Sequence, residues 1–168
     1  LLLMGAGSVL HQTHTKNIEK YGGLIKSMPI TALTFLLASI SISALPPSNG
    51  FLSEWMIFQS MMGSLNFTDI SLKLAIPFAI FSLALTGGLA IACFVKAYGI
   101  TFLGLHRSKN AKNAHEVNFM MKTGMILMSI VVISLMLFAH FYIFWFDKVL
   151  LSFNNTSVYA KIFPQSFL

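Results

Sequence analysis

Residues 29–63 read PITALTFLLASISISALPPSNGFLSEWMIFQSMMG, an apolar run with a proline-rich, polar centre. Pro29 stands where a helix can begin, because its fixed φ suits the first helical position. A proline pair removes two backbone donors and turns the preceding residue away from α geometry, so the first helix is predicted to end at Leu45. The predicted break consists of Pro46, Pro47, Ser48, Asn49 and Gly50.

The second half of this run is predicted to be a new helix that begins near Phe51. Ser48 or Asn49 can cap it, since both side chains carry an oxygen that accepts from a helix amide. Within a membrane, non-helical backbone is tolerated only where it is buried in protein or lines a wet cavity. Broken helices of this kind are typical of ion-translocating proteins, and the break is therefore a candidate functional site.

The composition of the whole chain agrees with a membrane setting. Its 168 residues are 56% hydrophobic and 10% charged, whereas a soluble domain carries about 25% charged residues. This argues against a soluble globular enzyme and predicts an all-α integral membrane protein. The single Cys excludes an internal disulfide and a Cys-based zinc site. No phosphate loop, Ser/His/Asp set, Cys cluster or haem-type His pair is visible, so no cofactor is predicted and redox chemistry is expected on other subunits.

Four segments approach the length of about 20 apolar residues that crosses a bilayer. They are the end of a helix at 1–10, the broken run 29–63, the run 72–104 and the run 119–146. The prediction is a single transmembrane region with about three full helices and the end of a fourth. Residues 147–168 mix Phe and Leu with polar residues and are predicted to form an interfacial tail. Because the chain opens with Leu, we expect it to be a fragment of something longer.

Charge fixes the predicted orientation. Loop 11–28 and loop 105–118 hold most of the basic residues, and two crossings separate them if 29–63 crosses once. The positive-inside rule then places both loops in the cytoplasm, with the chain in the inner (plasma) membrane. The basic residues are mostly Lys and lack the Arg-rich, aromatic-interleaved pattern of nucleic-acid readers, so no nucleic-acid partner is expected.

Glu54 is the strongest candidate for proton chemistry. It stands about one turn into the second half-helix, flanked by apolar residues. A carboxylate facing lipid is costly, so Glu54 is predicted to face protein or water and to take up and release a proton. The alternative is structural, because a Glu in a first helical turn often stabilises the helix N-terminus.

Lys96 is the second proton-path candidate, since it lies well inside the run 72–104. The alternative is that it snorkels to the cytoplasmic interface. Tyr98 lies nearby and can carry hydrogen bonds. His140, near the end of the run 119–146, can shuttle protons or anchor the interface. His11, after the first helix tail, is a loop residue or the exit of a proton path, and no carboxylate or Cys completes a metal site with it.

Two stretches carry a family resemblance. They are GAGSVLHQTHTKNIEKYGGLIKSMPITALTFLLASISISALPPSNGFLSEW at 5–55 and ACFVKAYGITFLG at 92–104. They resemble the proton-pumping, antiporter-like membrane subunits of respiratory complex I and its relatives. The chain is most similar to the branch of hydrogenase-4 component B and formate hydrogenlyase subunit 3. Glu54 matches the family's Lys or Glu in the second broken helix.

The resemblance implies part of a larger bundle with two inverted repeats, each holding a broken helix. It also implies proton translocation coupled to electron transfer in partner subunits of a membrane-bound hydrogenase or NADH dehydrogenase-like complex. Those partners would be other membrane subunits and hydrogenase-type or iron–sulfur peripheral subunits. Two alternatives stay open: a cation/proton antiporter subunit without a redox partner, and a structural membrane subunit.

Overall fold

A computed structural model describes residues 1–63 and 70–153 of the chain. All regular elements within these ranges are helices, which confirms the predicted all-α class. A short 3₁₀ turn lies at Ile18–Lys20. The α-helices are α1 (Leu2–Thr13), α2 (Leu24–Ser27), α3 (Pro29–Ile42), α4 (Asn49–Gly63), α5 (Ile70–Phe102), α6 (Lys109–Asn113), α7 (Phe119–Leu137) and α8 (Ala139–Phe153).

The predicted break is present, but it lies earlier in the chain than expected. Helix α3 ends at Ile42, and Ala44 adopts a left-handed conformation with φ 49°. The Leu45 N–H then donates to the Ile40 carbonyl at 3.3 Å, and the Ala44 N–H donates to the Ser41 carbonyl at 3.4 Å. This pair of bonds is a Schellman termination. The helix therefore stops before the prolines, and the prediction that it reaches Leu45 is wrong.

The second half-helix also begins earlier than predicted. Asn49 and Gly50, assigned to the break from sequence, are the first residues of α4. The Ser48 hydroxyl oxygen accepts from the Phe51 N–H at 3.4 Å, so Ser48 is the cap, as one of the two predicted alternatives stated. The Ser41 hydroxyl also hydrogen-bonds the Asn49 side chain, which ties the start of α4 to the end of α3.

Two helices in the described part of the chain are long and apolar enough to cross a membrane. They are Lys73–Phe102 within α5 and Phe119–Leu137, which is α7. Helix α3 is apolar but has only 14 residues, so it is too short to cross alone. A crossing by α3 and α4 together, and hence the predicted count of spans, stays a prediction.

The run 119–146 is not one helix, which corrects the prediction. Helix α7 ends at Leu137, and α8 begins at Ala139 and continues to Phe153. The hydroxyl groups of Ser134 and Tyr142 lie 3.0 Å apart across this joint. Residues 147–153 of the predicted tail are thus helical, and the remainder, 154–168, lies outside the described residues.

Helix α3 lies at the centre of the packing, in contact with α1, α5 and α7. Gly5 of α1 allows one close approach, because a Cβ at that position would lie 2.8 Å from the Phe35 ring. The fully buried side chains cluster towards one end of the bundle, where α5 ends and the two basic loops lie. They include Leu24, Met28, Phe102, Val117 and Met125.

The two basic loops pack directly against each other. The hydrogen bonds that join them run from Gly23 N–H to the Leu103 carbonyl at 3.0 Å, from the Ser108 hydroxyl to the Lys20 carbonyl at 2.8 Å, and from the Asn110 amide to the Thr13 carbonyl at 3.2 Å. Both loops therefore lie at the same end of the bundle, as the charge argument requires. Their location on the cytoplasmic side stays a prediction.

Glu116 from the second basic loop caps the start of α3. One carboxylate oxygen accepts from the Ile30 N–H at 3.0 Å, and the other accepts from the Thr31 hydroxyl at 2.6 Å. The Thr31 side chain is fully buried. The N-terminal amides of a helix lack partners within the helix, so this carboxylate satisfies groups that α3 cannot satisfy itself.

We expect Glu116→Ala to lower the free energy of unfolding by about 2–3 kcal/mol, because two bonds to a charged acceptor are lost and a buried hydroxyl loses its partner. The change is measured as the unfolding midpoint of the helical circular dichroism signal in detergent. Glu19→Ala is the matched control. Glu19 is exposed in the first loop, so its loss is expected to change stability by less than about 0.5 kcal/mol. Equal midpoints for the two variants would contradict the capping role.

Candidate functional site

Glu54 lies on α4, five residues beyond its first residue, Asn49. Its side chain is half-buried and reaches towards the middle of α5. The carboxylate oxygen Oε2 lies 3.7 Å from the position that a Cβ on Gly87 would occupy. The acidic group of the second half-helix thus extends to α5 at a point where α5 has no side chain.

The position of Glu54 on α4 decides whether its carboxylate can serve as the N-terminal cap of that helix. The cap of α4 is Ser48, and the first turn of α4 contains no acidic residue. Glu54 stands in the second turn, beyond the positions whose amides need a cap. The capping function that a Glu can serve in a first turn is therefore carried out by Ser48, which leaves the Glu54 carboxylate available for other chemistry.

Gly87 is a site residue that sequence reasoning missed. In the sequence, the adjacent glycines Gly87 and Gly88 indicate only close helix packing. The structure distinguishes the two: Gly87 faces the Glu54 carboxylate, whereas a Cβ on Gly88 would meet nothing within 4 Å. Adjacent residues of a helix point about 100° apart, so only one of them can face α4. The glycine pair was the available signal, but the sequence does not show which partner it faces.

Lys96 is not brought together with Glu54. Its side chain is exposed, and it follows Gly87 by nine residues on α5. Nine residues correspond to two and a half turns, so Lys96 lies on the opposite face of α5 and about 13 Å further along its axis. It stands six residues before the helix end at Phe102, or about 9 Å, which is compatible with snorkelling. A role in the proton path stays a prediction.

Tyr98 lies on the same face of α5 as Gly87, because a separation of eleven positions completes about three turns. Its ring packs on Phe102 with 5.1 Å between centroids. Tyr98 also lines a cavity of about 200 Å³ between α3 and α5, together with Ser39 and Ser43. Among the predicted candidates on α5, Tyr98 is therefore the one that faces the interior.

The two candidate histidines, His11 and His140, lie far from Glu54 in sequence. The structure describes the side chain of His11 but not that of His140. His11 is in the last turn of α1, so the prediction that it follows the helix is wrong; its side chain is exposed at the end of α1, with its ring 6.5 Å from that of His14. The backbone of His140 is in the first turn of α8, and its side chain lies outside the described part of the structure. Within residues 1–63 and 70–153, no three His, Cys, Asp or Glu side chains are grouped to hold a metal.

Comparison with known proteins identifies a family. The model of the family described as "NADH:quinone oxidoreductase/Mrp antiporter, TM" matches residues 1–76. This region contains α1 to α4, including the break and Glu54. Gly87, Lys96 and Tyr98 follow the matched region.

Individual relatives extend the match over more of the chain. Hydrogenase-4 component B of Escherichia coli (strain K12) is 47% identical over 129 residues, which are 77% of this chain and 19% of that protein. Formate hydrogenlyase subunit 3 of the same strain is 40% identical over 130 residues, 77% of this chain and 21% of that protein. Na(+)/H(+) antiporter subunit A1 of Staphylococcus saprophyticus is 34% identical over 142 residues, 82% of this chain and 17% of that protein.

The chain thus spans about a fifth of the length of each of these relatives. The similarity agrees with the resemblance derived from the motifs at 5–55 and 92–104, and it confirms that prediction. Taken with the broken helix and the apolar helices α5 and α7, the match shows that this chain belongs to the NADH:quinone oxidoreductase and Mrp antiporter family of membrane proteins.

Proposed function

We propose that this chain moves protons across the membrane as part of a multi-subunit hydrogenase or NADH dehydrogenase-like complex, with Glu54 as the group that takes up and releases the proton. The observation that carries the proposal is the position of the Glu54 carboxylate, 3.7 Å from the open position at Gly87 and outside the cap of its own helix. A carboxylate in a membrane-embedded helix is costly to retain unless it has a function.

The interior face of α5 supports a route from Glu54 towards the basic end of the bundle. Gly87 and Tyr98 share this face, about 16 Å apart along the helix axis. That distance is too long for direct proton transfer, so water is required between them. The cavity that Tyr98 lines with Ser39 and Ser43 measures about 200 Å³, which is room for several waters. The walls of this cavity are almost entirely apolar, so water in it would depend on the hydroxyl groups of Tyr98, Ser39 and Ser43.

We propose a different role for Lys96 than for Glu54. Because it lies on the outward face of α5, it cannot exchange a proton with Glu54 within this chain. We propose that it meets a carboxylate on a neighbouring membrane segment of the complex or extends to the interface. His11 lies at the same end of the bundle as the two basic loops. We propose that it is a group where protons enter or leave.

The redox step is assigned to partner subunits. No motif for a redox cofactor is present in the sequence, and two of the relatives are named as a hydrogenase component and a formate hydrogenlyase subunit. We propose that other membrane subunits and hydrogenase-type or iron–sulfur peripheral subunits surround this chain in the inner membrane. The two basic loops would then face the cytoplasm.

The similarity to a Na(+)/H(+) antiporter subunit supports a second candidate function. In that case the chain would serve cation/proton exchange with no redox partner. A purely structural role is the third possibility, and it is the one that the separation of Glu54 from the helix cap argues against.

One vesicle experiment distinguishes the three functions. The complex that contains this chain is reconstituted, and the internal pH is followed with a fluorescent dye while an electron donor or a sodium gradient is applied. The proposed function predicts a pH change that starts with electron transfer and does not depend on sodium. A pH change driven by the sodium gradient alone would establish the antiporter. Electron transfer without any pH change under either condition would contradict proton translocation.

The neighbouring glycines of α5 provide a further prediction. Gly87→Ala places a methyl group 3.7 Å from Oε2 of Glu54 and would exclude water from that position, whereas Gly88→Ala points into open space. Both changes raise helix propensity, by up to about 1 kcal/mol, so neither is expected to lower stability. We expect Gly87→Ala to reduce donor-driven proton movement several-fold and Gly88→Ala to leave it unchanged. Equal rates in the two variants would show that the Gly87 position does not serve Glu54.

A further inference from the structure

The end of the bundle where the loops meet has a strongly basic surface. We define the basic platform as residues 14–27 and 103–113, which contain one acidic residue, Glu19. The platform carries six cationic side chains, all exposed: Lys16, Lys20, Lys26, Arg107, Lys109 and Lys112. They come from two segments far apart in sequence, so the fold, and not the local sequence, creates the cluster.

The backbone of the platform is fixed by its own contacts. The Lys20 carbonyl accepts from the Ser108 hydroxyl at 2.8 Å, and Ser108 in turn caps α6 through the Ala111 N–H. Gly22 adopts φ 120°, and a Cβ there would lie 2.5 Å from the Leu105 carbonyl oxygen and 3.4 Å from Cγ of Arg107. The backbone segments that carry Lys20, Arg107 and Lys109 are therefore held next to each other by the fold.

Apolar side chains stand among these cations. Leu105 is 82% exposed and Leu103 is 47% exposed, directly after the end of α5. Ile18 and Ile25 are exposed in the facing segment. A surface that combines exposed cations with exposed leucine and isoleucine is typical of protein that lies in the headgroup layer of a membrane.

The length of α5 sets the depth of this surface. The stretch Lys73–Phe102 has 30 residues, so it is about 45 Å long, whereas the hydrocarbon core is about 30 Å thick. The helix therefore exceeds the core by about 15 Å, and the cations that follow Phe102 favour the headgroup layer for this end of α5. Cations placed there meet lipid phosphates before they meet any soluble partner.

We infer that the basic platform is a binding site for the phosphate groups of anionic phospholipids. In this arrangement Lys20, Arg107 and Lys109 contact the headgroup phosphates, and Leu103 and Leu105 contact the upper part of the acyl chains. Clusters of four to eight basic residues next to a membrane helix are a recognised pattern for anionic lipid binding. This inference does not depend on proton translocation, since it concerns a different end of the molecule and different residues.

The test uses the complex that contains this chain, in nanodiscs of phosphatidylcholine mixed with spin-labelled phosphatidylglycerol. The fraction of motionally restricted label is compared for the wild type and the triple variant Lys20→Gln, Arg107→Gln, Lys109→Gln. We expect a several-fold loss of restricted phosphatidylglycerol in the triple variant and no change for labelled phosphatidylcholine. Lys73→Gln removes an exposed cation at the opposite end of α5 and is expected to retain the wild-type fraction.

Two further arms keep the result interpretable. The charge-preserving variant Lys20→Arg, Arg107→Lys, Lys109→Arg is expected to keep the lipid bound, which separates a charge effect from misfolding. Soluble inorganic phosphate is expected not to displace the label, because it lacks the acyl chains that Leu103 and Leu105 contact. Equal restricted fractions in the wild type and the Gln variant would overturn the inference. So would loss of a protein subunit from the Gln variant with unchanged lipid, since the platform would then be a protein-docking surface.

Discussion

Donor-driven proton movement is expected to fall to near background in Glu54→Gln, while the chain stays folded and assembled. The amide keeps the shape and most of the hydrogen-bonding capacity of the carboxyl group but cannot take up and release a proton. Stability is expected to change little, because Ser48 caps α4 and Glu54 lies in its second turn. The measurements are dye-reported proton uptake in vesicles and the subunit composition of the purified complex.

Two other substitutions at this position refine the test. Glu54→Asp keeps the carboxyl group but withdraws it by one methylene from the opening at Gly87, so partial activity is expected. Glu19→Gln neutralises an exposed carboxylate in the first loop and serves as the control, with wild-type rates expected. Normal proton uptake in Glu54→Gln, in a fully assembled complex, would remove Glu54 from the mechanism and leave it a structural residue.

Gly50→Ala is expected to have the largest effect on stability. A Cβ on Gly50 would overlap the carbonyl oxygen of Ser41, where the start of α4 crosses the end of α3. The neighbour is backbone, so it cannot move aside as a flexible side chain does. Overpacking typically costs about 1–3 kcal/mol, and we expect at least the upper part of this range. The hydrogen bond between Ser41 and Asn49 would also be disrupted.

The matched control for this variant is Gly7→Ala in α1. Gly7 is also helical, but a Cβ there would meet nothing within 4 Å, so the change is expected to raise stability by up to about 1 kcal/mol through helix propensity. Unfolding midpoints of the two variants are compared by circular dichroism in the same detergent. A midpoint for Gly50→Ala at or above that of the wild type would show that the two half-helices do not need their close crossing.

The features that sequence reasoning predicted are those determined by local chemistry. Pro46 and Pro47 indicated the broken helix, and the side-chain oxygens of Ser48 and Asn49 indicated two alternative caps, of which the structure uses Ser48. The distribution of Lys and Arg placed the two basic loops on one side, and the structure brings them together at one end. Each of these signals depends on a residue type and its immediate neighbours, which are visible in the sequence.

The features that were missed depend on contacts between distant segments. The capping of α3 by Glu116 joins residues more than 80 positions apart, and no local pattern indicates it. The joint at Phe138 interrupts an apolar run that contains no Pro, and the glycine of this run, Gly124, lies 14 residues before the joint. The opposite orientations of Gly87 and Lys96 on α5 follow from helix geometry, but the face that meets α4 is set by packing.

The capping of α3 by Glu116 has a consequence for biosynthesis. The first turn of α3 leaves the ribosome 86 residues before the carboxylate that completes it. At about 5–20 residues per second this is a delay of roughly 4–17 s. During that time the Ile30 amide and the Thr31 hydroxyl must rely on water or the insertion machinery. The broken helix is thus expected to enter the membrane before its final anchor exists, and its position becomes fixed only when the second basic loop has been translated.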